Sequence, residues 1–389
     1  MIEVNSSNWS LAVLLTGAAI LFGVSGCAHT PDQPEPANES AEACLEDLKF
    51  VSDFLPKNDA GAPDHLEETG EEELEQALET ATEKAVDVDD IDECHSVLSN
   101  YLRHWREEHL AIRPIESETE ESEENEQTAE SQRDKVPELN LLSDETALLS
   151  FPNFFPHSRE PLAELIDEHA GALAERKNWI IDVRTSMGGS DSTWAQLLPW
   201  LVPRGDIAVG IDWLVTDENI RAQQRGCIFA PEDDLCEEAM SEIAEIMEEG
   251  ESGEFLAHFD SKWHQRSIEE IPENRPERIA VLIGPGCGSS CEQFLLAVRQ
   301  NFGTVLIGRP TAGALDYSNL RPVTLPSGEH RLLYATSRSQ RLPDYPVDGV
   351  GVLPDIYLPE PDDEASREEI DRVQHWMESE PGEAELLPE

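Results

Sequence analysis

Residues 278–294 read RIAVLIGPGCGSSCEQF. An apolar run with strand-forming residues passes into a Gly/Pro/Ser turn, and the turn passes into a segment with helical character. Such a turn presents a hydroxyl at a helix N-terminus, where the dipole and the free N–H groups stabilise a developing anion. Ser289 and Ser290 are the hydroxyls on offer. The plainer role for a serine in this place is to cap the helix. The GxSxG pattern of the α/β-hydrolase nucleophile elbow is absent.

Outward from this stretch, short strand-like runs recur at 145–151, 178–184, 304–308 and 331–336, with helical candidates at 160–176, 190–202, 236–249 and 290–302. The alternation predicts an α/β catalytic domain over 141–359. Upstream, Leu45, Leu48, Val51, Phe54 and Leu55, then Val97, Leu98, Tyr101, Leu102 and Trp105, follow helical spacing and mark a small helical subdomain over 41–113. Between the two, residues 116–130 hold eight Glu and no basic residue, so 114–140 reads as a solvated linker. Residues 360–389 carry twelve acidic and two basic residues and read as an acidic tail, either loose or a marginal surface helix.

The chain has 27 Lys+Arg against 82 Asp+Glu, a formal net charge of −55, which excludes a nucleic-acid binder built on basic patches. Only six of the basic residues are lysines. Dense carboxylates with few lysines point to work in high salt, where self-repulsion is screened. At the start, the uncharged apolar run 11–24 is too short to span a membrane and reads as the core of a signal peptide. Val24-Ser25-Gly26-Cys27 follows it and resembles the lipobox of bacterial lipoproteins. That resemblance implies removal of 1–26, lipidation of Cys27, a tether over 27–40 and a lipid-anchored place in the cell envelope. Export leaves six further cysteines in an oxidising compartment. Cys44–Cys94 and Cys227–Cys236 are the expected pairs, although sequence does not fix connectivity. Cys287 and Cys291 flank Ser289 and either bridge its turn or stay as inert thiols. No CxxC pair or His-x-x-x-His cluster calls for zinc.

Four motifs in order resemble the tail-specific (C-terminal processing) protease family: Asp182–Asp191 (DVRTSMGGSD), the turn at 281–292, Gly308–Gly313 (GRPTAG) and Gly349–Asp355 (GVGVLPD). The resemblance implies a crotonase-like core and hydrolysis of peptide bonds without metal or cofactor. It makes Ser289, three residues before Glu292, the nucleophile. It places the oxyanion hole on the N–H groups of Ser290 and of Gly188 or Gly189. Met187 and Ser186 depart from the family turn.

The base separates the branches of the family. A Ser–Lys dyad is excluded in its usual arrangement, since Ala314 stands where that lysine would follow and no lysine lies beyond Lys262. The branch with Ser–His–acid chemistry, which includes the tricorn core, places its histidine at the end of the helical segment. Trp105–Ile112 (WREEHLAI) resembles that site, which makes His109 the candidate base, with His157 next; His104 is expected to face elsewhere. Asp348 is the expected acid orienting the imidazole, and Asp344 the fallback. Asp316, in LDYSN (315–319), is a further candidate for orienting a substrate or a catalytic partner, or else an Asx-turn residue. About 35 residues separate His109 from the strand at 145, too few for a PDZ domain. The expected partners are a peptide or protein substrate and, through the lipid, a membrane. A lipoprotein of the same fold that binds peptides or small apolar ligands without catalysis is the alternative.

Overall fold

The computed structural model describes residues 38–115, 135–227, 233–259, 261–268, 270–359 and 366–379. The expected signal peptide, Cys27, most of the expected tether and the Glu-rich run at 116–134 lie outside the described residues. Four helices come first: α1 (Glu39–Asn58), α2 (Ala62–Thr69), α3 (Glu71–Ala85) and α4 (Ile91–Leu102). Asn38 and Asp90 cap α1 and α4 by accepting the N–H groups three positions on, as N-cap residues do. The Cys44–Cys94 disulfide ties α1 to α4.

Strand β1 (Ala111–Pro114) leaves the helices, followed by β2 (Glu138–Leu141), β3 (Thr146–Ser150), α5 (Arg159–Ala174) and β4 (Asn178–Asp182). The expected linker therefore ends early, because β2 already pairs antiparallel with β3. Next come the short helices α6 (Asp191–Trp194) and α7 (Leu198–Leu201), strands β5 (Asp206–Val209) and β6 (Ile211–Leu214), and helices α8 (Asp217–Gln224) and α9 (Asp234–Glu248). Then follow β7 (Phe255–Ala257), β8 (Trp263–Arg266), β9 (Arg278–Ile283), α10 (Ser290–Val298) and β10 (Thr304–Gly308). The chain closes with β11 (Tyr317–Thr324), β12 (His330–Ser339), β13 (Ile356–Tyr357) and α11 (Ser366–Glu378).

One sheet runs β13-β10-β9-β4-β3-β2, parallel except at β2. Its central strand β9 is apolar on both faces: Ile279, Val281 and Ile283 join one core, Ala280 and Leu282 the other. A parallel strand covered on both sides takes this continuous apolar form. A second, antiparallel sheet orders β1-β12-β6-β7, with β11 also on β12. Helices α1–α4 bury their apolar face on this second sheet, in one cluster with Leu325, Leu332 and Tyr334.

The acidic tail corrects the sequence reading. Helix α11 is docked, with Val373 and Met377 buried beneath the parallel sheet. Its Glu369, 1% exposed, receives Arg184 Nη1 at 2.7 Å and pairs with Arg309, so the tail clamps two of the four motifs together. Charge counting hides this, because a buried carboxylate between two arginines and a solvated one look alike in sequence.

Candidate active site

Ser289 sits where β9 turns into α10, at φ +57, ψ −125. The positive φ is unusual for a side chain larger than glycine and persists only where the surroundings dictate it. Here they do. The buried Glu292 carboxylate accepts the Ser289 N–H (3.1 Å) and closes a capping box with it. The same carboxylate accepts Thr311 Oγ1 at 2.5 Å, Gly313 N at 2.7 Å and Ala314 N at 2.9 Å. Burial raises the Glu292 pKa and these four donors pull it back. Glu292 thus welds the Ser289 turn to the loop that leads into β11. The Cys287–Cys291 disulfide closes the same turn, with Cα atoms 5.5 Å apart. Cys227–Cys236 is also formed, so both expected pairs are present.

The two serines are not equivalent. Ser290 Oγ donates to Asp191 Oδ1 (2.6 Å) and accepts from Trp194 Nε1 (2.9 Å), so its proton is committed. Ser289 is half-buried, and its hydroxyl donates to no described residue. Crowding of protein around Asp191 raises its pKa, against the Ser290 hydroxyl and the charges of Arg266 and Arg341.

Gly188 lies against this turn. A Cβ there would stand 2.6 Å from Gly288 O, 2.9 Å from Ser289 Cβ and 3.0 Å from Ser290 N, and its φ is +89, so only glycine fits. The Gly188 carbonyl accepts Phe154 N and Ser190 N donates to Phe154 O, while Ser186 O accepts Gly288 N. Among the described residues the N–H groups of Gly188, Gly189 and Ser290 meet no acceptor. Gly189 is pressed on the Phe154 backbone, which leaves Gly188 and Ser290 as the pair beside Ser289.

His109 follows α4 on the way into β1, also at positive φ (+55). Its Nδ1 lies 2.5 Å from the Tyr317 carbonyl, which only accepts, so Nδ1 carries the proton and Nε2 keeps its lone pair. The segment is held by Arg106, which donates to the carbonyls of Glu108 (2.7 Å) and His109 (3.0 Å) and pairs twice with buried Asp59. Burial, reinforced by the Arg106 charge and opposed by the Tyr317 carbonyl, lowers the His109 pKa to about 4. The imidazole is neutral across the physiological range. His109 and Ser289 thus both tie to the loop that leads into β11, one through the Tyr317 carbonyl and the other through Glu292, which accepts Ala314 N. Burial, and then the charges of Glu107 and Glu292, raise the Glu108 pKa.

The acids fall elsewhere than expected. No hydrogen bond joins Asp348 to His109: Asp348 Oδ1 accepts Leu315 N (2.5 Å) and Asp316 N (2.6 Å), and its Oδ2 is buried without a partner. Burial raises the Asp348 pKa to about 6. The backbone carbonyl took the position at Nδ1, a partner that no side-chain pattern reveals. Asp344 is exposed beside Lys262. Asp316 is fully buried, and its oxygens are taken by Arg341, Val347 N and Asp348 N, so it is a loop brace without reach to a substrate. His157 and His104 are exposed. Sequence reasoning also missed Tyr317, Asp59 and Arg106; the proximity of Arg106 to His109 was the one available signal.

The model for peptidase family S41 matches residues 145–358, more than half of the chain. The chain belongs to peptidase family S41. No curated protein matches it. Among solved structures it resembles mature CPAF at 12% identity, with 83% of this chain and 93% of that one covered and a TM-score of 0.56. It also resembles a protein from Parabacteroides merdae at 13% identity, covering 87% and 96%, with a TM-score of 0.51. At these identities the likeness shows a shared α/β fold, that of the tail-specific proteases in the case of CPAF. One group of metal-ligand types converges among the described residues, Asp47, Cys94 and His330, but the Cys94 sulfur is bonded to Cys44.

Proposed function

We propose that this S41 member is an exported, lipid-anchored serine peptidase in which Ser289 is the nucleophile and His109 the base. The observation that carries the reading is the contrast between the serines: Ser289 alone has an uncommitted proton, and it lies between two uncommitted amides. His109 Nε2 takes that proton as Ser289 Oγ attacks the scissile carbonyl. The N–H groups of Ser290 and Gly188 hold the resulting oxyanion. The imidazolium then returns the proton to the leaving amine, and water, activated by the same nitrogen, releases the acyl group. The substrate is a peptide or protein segment, and no step calls on a metal. A lipid on Cys27 would hold the enzyme at the envelope membrane; its replacement by alanine is expected to shift the protein from the membrane fraction to the soluble one.

A fluorophosphonate probe tests the reading. Covalent labelling of the purified chain at suitable salt should disappear in Ser289→Ala and in His109→Ala and persist in Ser290→Ala. Folded wild type that takes no label, or label that survives Ser289→Ala, refutes it and favours a binding lipoprotein of the same fold.

A further inference from the structure

Cys44 and Asp47 lie three residues apart on one side of α1, Cys94 sits in the first turns of α4, and His330 opens β12. One donor atom from each of Asp47, Cys94 and His330 lies within 4.8 Å of the other two. The three residues also wall a cavity of about 370 Å³, together with Glu39, Asp90 and Glu329. No lysine or arginine lines this cavity, so its field favours a cation. Arg113 acts on the neighbouring His95, whose ring stacks on His330 with centroids 5.7 Å apart.

His330 is 1% exposed, and neither of its buried ring nitrogens makes a hydrogen bond. Nδ1 stands 3.5 Å from Asp47 Oδ2. Protonation would turn that approach into an ion pair and would still leave Nε2 a buried donor without an acceptor. Asp47 is itself fully buried and is held by Ser327, whose N–H donates to Oδ1 at 2.9 Å and whose hydroxyl donates to Oδ2 at 2.7 Å. Each carboxylate oxygen keeps a further lone pair. A buried imidazole without partners is costly unless something coordinates it. The spacing says what. Two ligands about 2.1 Å from a zinc ion at the tetrahedral angle stand roughly 3.4 Å apart. The His330–Asp47 approach has that length. Carboxylate, imidazole and thiolate together are a zinc donor set. The sulfur sets the condition, because in the Cys44–Cys94 disulfide it carries no thiolate.

We infer that Asp47, Cys94 and His330, with Cys44 at the fourth position, form a zinc site of the reduced chain, and that zinc and the Cys44–Cys94 disulfide are alternatives. A dithiol gives the disulfide two electrons and two protons and closes a disulfide of its own. Zinc then displaces the proton of each ligating thiol, with no further electron transfer. Either state ties α1 to α4, and zinc also ties both helices to β12 through His330. The site shares no residue with the candidate active site and stands whether or not the protein cleaves peptides.

The full chain, reduced with dithiothreitol and freed of it under argon, should bind zinc stoichiometrically and melt higher with zinc than without. The unreduced chain should bind none. Cobalt in place of zinc should give the ligand-field bands of a tetrahedral ion and a thiolate-to-cobalt charge-transfer band. These should be lost in His330→Gln and in the double variant Cys44→Ser/Cys94→Ser, and kept in Cys227→Ser. A reduced chain that takes no zinc, cobalt bands that survive His330→Gln, or equal binding before and after reduction overturns the site. Should the variants fail to fold, wild type decides. Reoxidised by glutathione disulfide with zinc bound, it should close Cys227–Cys236 and leave Cys44–Cys94 open, as mass spectrometry of the unreduced digest reads. Closure of Cys44–Cys94 at the same rate with and without zinc overturns the site as well.

Discussion

His109 is oriented by the main chain, through a 2.5 Å hydrogen bond from Nδ1 to the Tyr317 carbonyl. A carboxylate in that place would favour the imidazolium; a carbonyl does so less, and burial then sets the pKa at about 4. The first prediction concerns pH. In the proposed mechanism the neutral imidazole is the active form, so kcat/KM should rise with pH through about 4 and be flat near 6.5, the ordinary histidine value. A limb near 6.5 in the pH profile would show that the base is solvated or paired with an acid. Stability carries the same signature. The folded pKa is depressed, so the unfolded chain takes the proton first, and stability falls as pH drops from about 6.5 toward 4. His109→Gln should flatten that slope in denaturant titrations.

A second prediction concerns the ion pair that holds the His109 segment. Arg106 and Asp59 have side chains 4% and 3% exposed and are joined at 2.6 Å. Asp59 also accepts the N–H of Gly61 and Ala335, so it links α1, β12 and the His109 segment. Asp59→Asn keeps the volume but strips Arg106 of its counter-charge. The expected loss is about 3–5 kcal/mol in urea unfolding, the usual cost of breaking a buried pair. Activity should fall further than stability alone explains, because the His109 carbonyl loses its anchor.

Much of this arrangement was legible in sequence, and what escaped is physical in origin. The strands at 178–184, 278–284 and 304–308 announce themselves because strands buried on both faces must be continuously apolar. Ser289, Gly188 and His109 stood out through their motifs. Strands β5, β7 and β8 did not, being short and carrying polar or exposed residues such as His264 and Gln265. The orienting group of His109 was illegible for a deeper reason: every residue has a carbonyl, so a backbone acceptor leaves no mark on residue type. Asp348 was picked for its charge, yet the fold uses it to accept backbone N–H groups.

Asp348 therefore acts at one remove. Through Oδ1 it holds Leu315 N and Asp316 N, immediately before the Tyr317 carbonyl that steers His109. Asp348→Asn retains a carbonyl oxygen for both N–H groups and replaces the partnerless Oδ2 with a neutral amide; Asp348→Ala retains neither. The third prediction is a clear separation between them, with kcat of the Asn variant well above that of the Ala variant. A triad acid would give the opposite result, because charge rather than shape is then lost and both variants fall together, by roughly 10⁴-fold in the serine-protease template. Above pH 6 the Asn variant should be as stable as wild type or more so. Folding raises the Asp348 pKa to about 6, so its contribution is greatest at low pH and is lost as pH rises through that value.

Ser290 supplies a fourth test. Its hydroxyl bridges Asp191 and Trp194, while the proposed function asks only for its backbone N–H. Ser290→Ala keeps that N–H and removes two hydrogen bonds at the edge of the turn. Its kcat should fall by about tenfold or less, whereas Ser289→Ala should lose ~10⁴-fold or more. A loss in Ser290→Ala far larger than in Ser289→Ala would place the nucleophile at Ser290 with Asp191 as its base.

The net charge of −55 carries the last prediction, and it separates general from specific salt effects. With like charges crowding the surface, repulsion in the compact state exceeds that in the expanded one. Salt shortens its range, from a Debye length of about 10 Å at 0.1 M to about 3 Å at 1 M. The melting temperature should therefore climb from low to molar salt with sodium glutamate as well as with sodium chloride. A melting temperature that stays level or falls over that range would mean that the carboxylates are already neutralised in the fold. The buried pairs at Asp59, Glu369 and Asp316 would then be the pattern of the molecule rather than its exceptions.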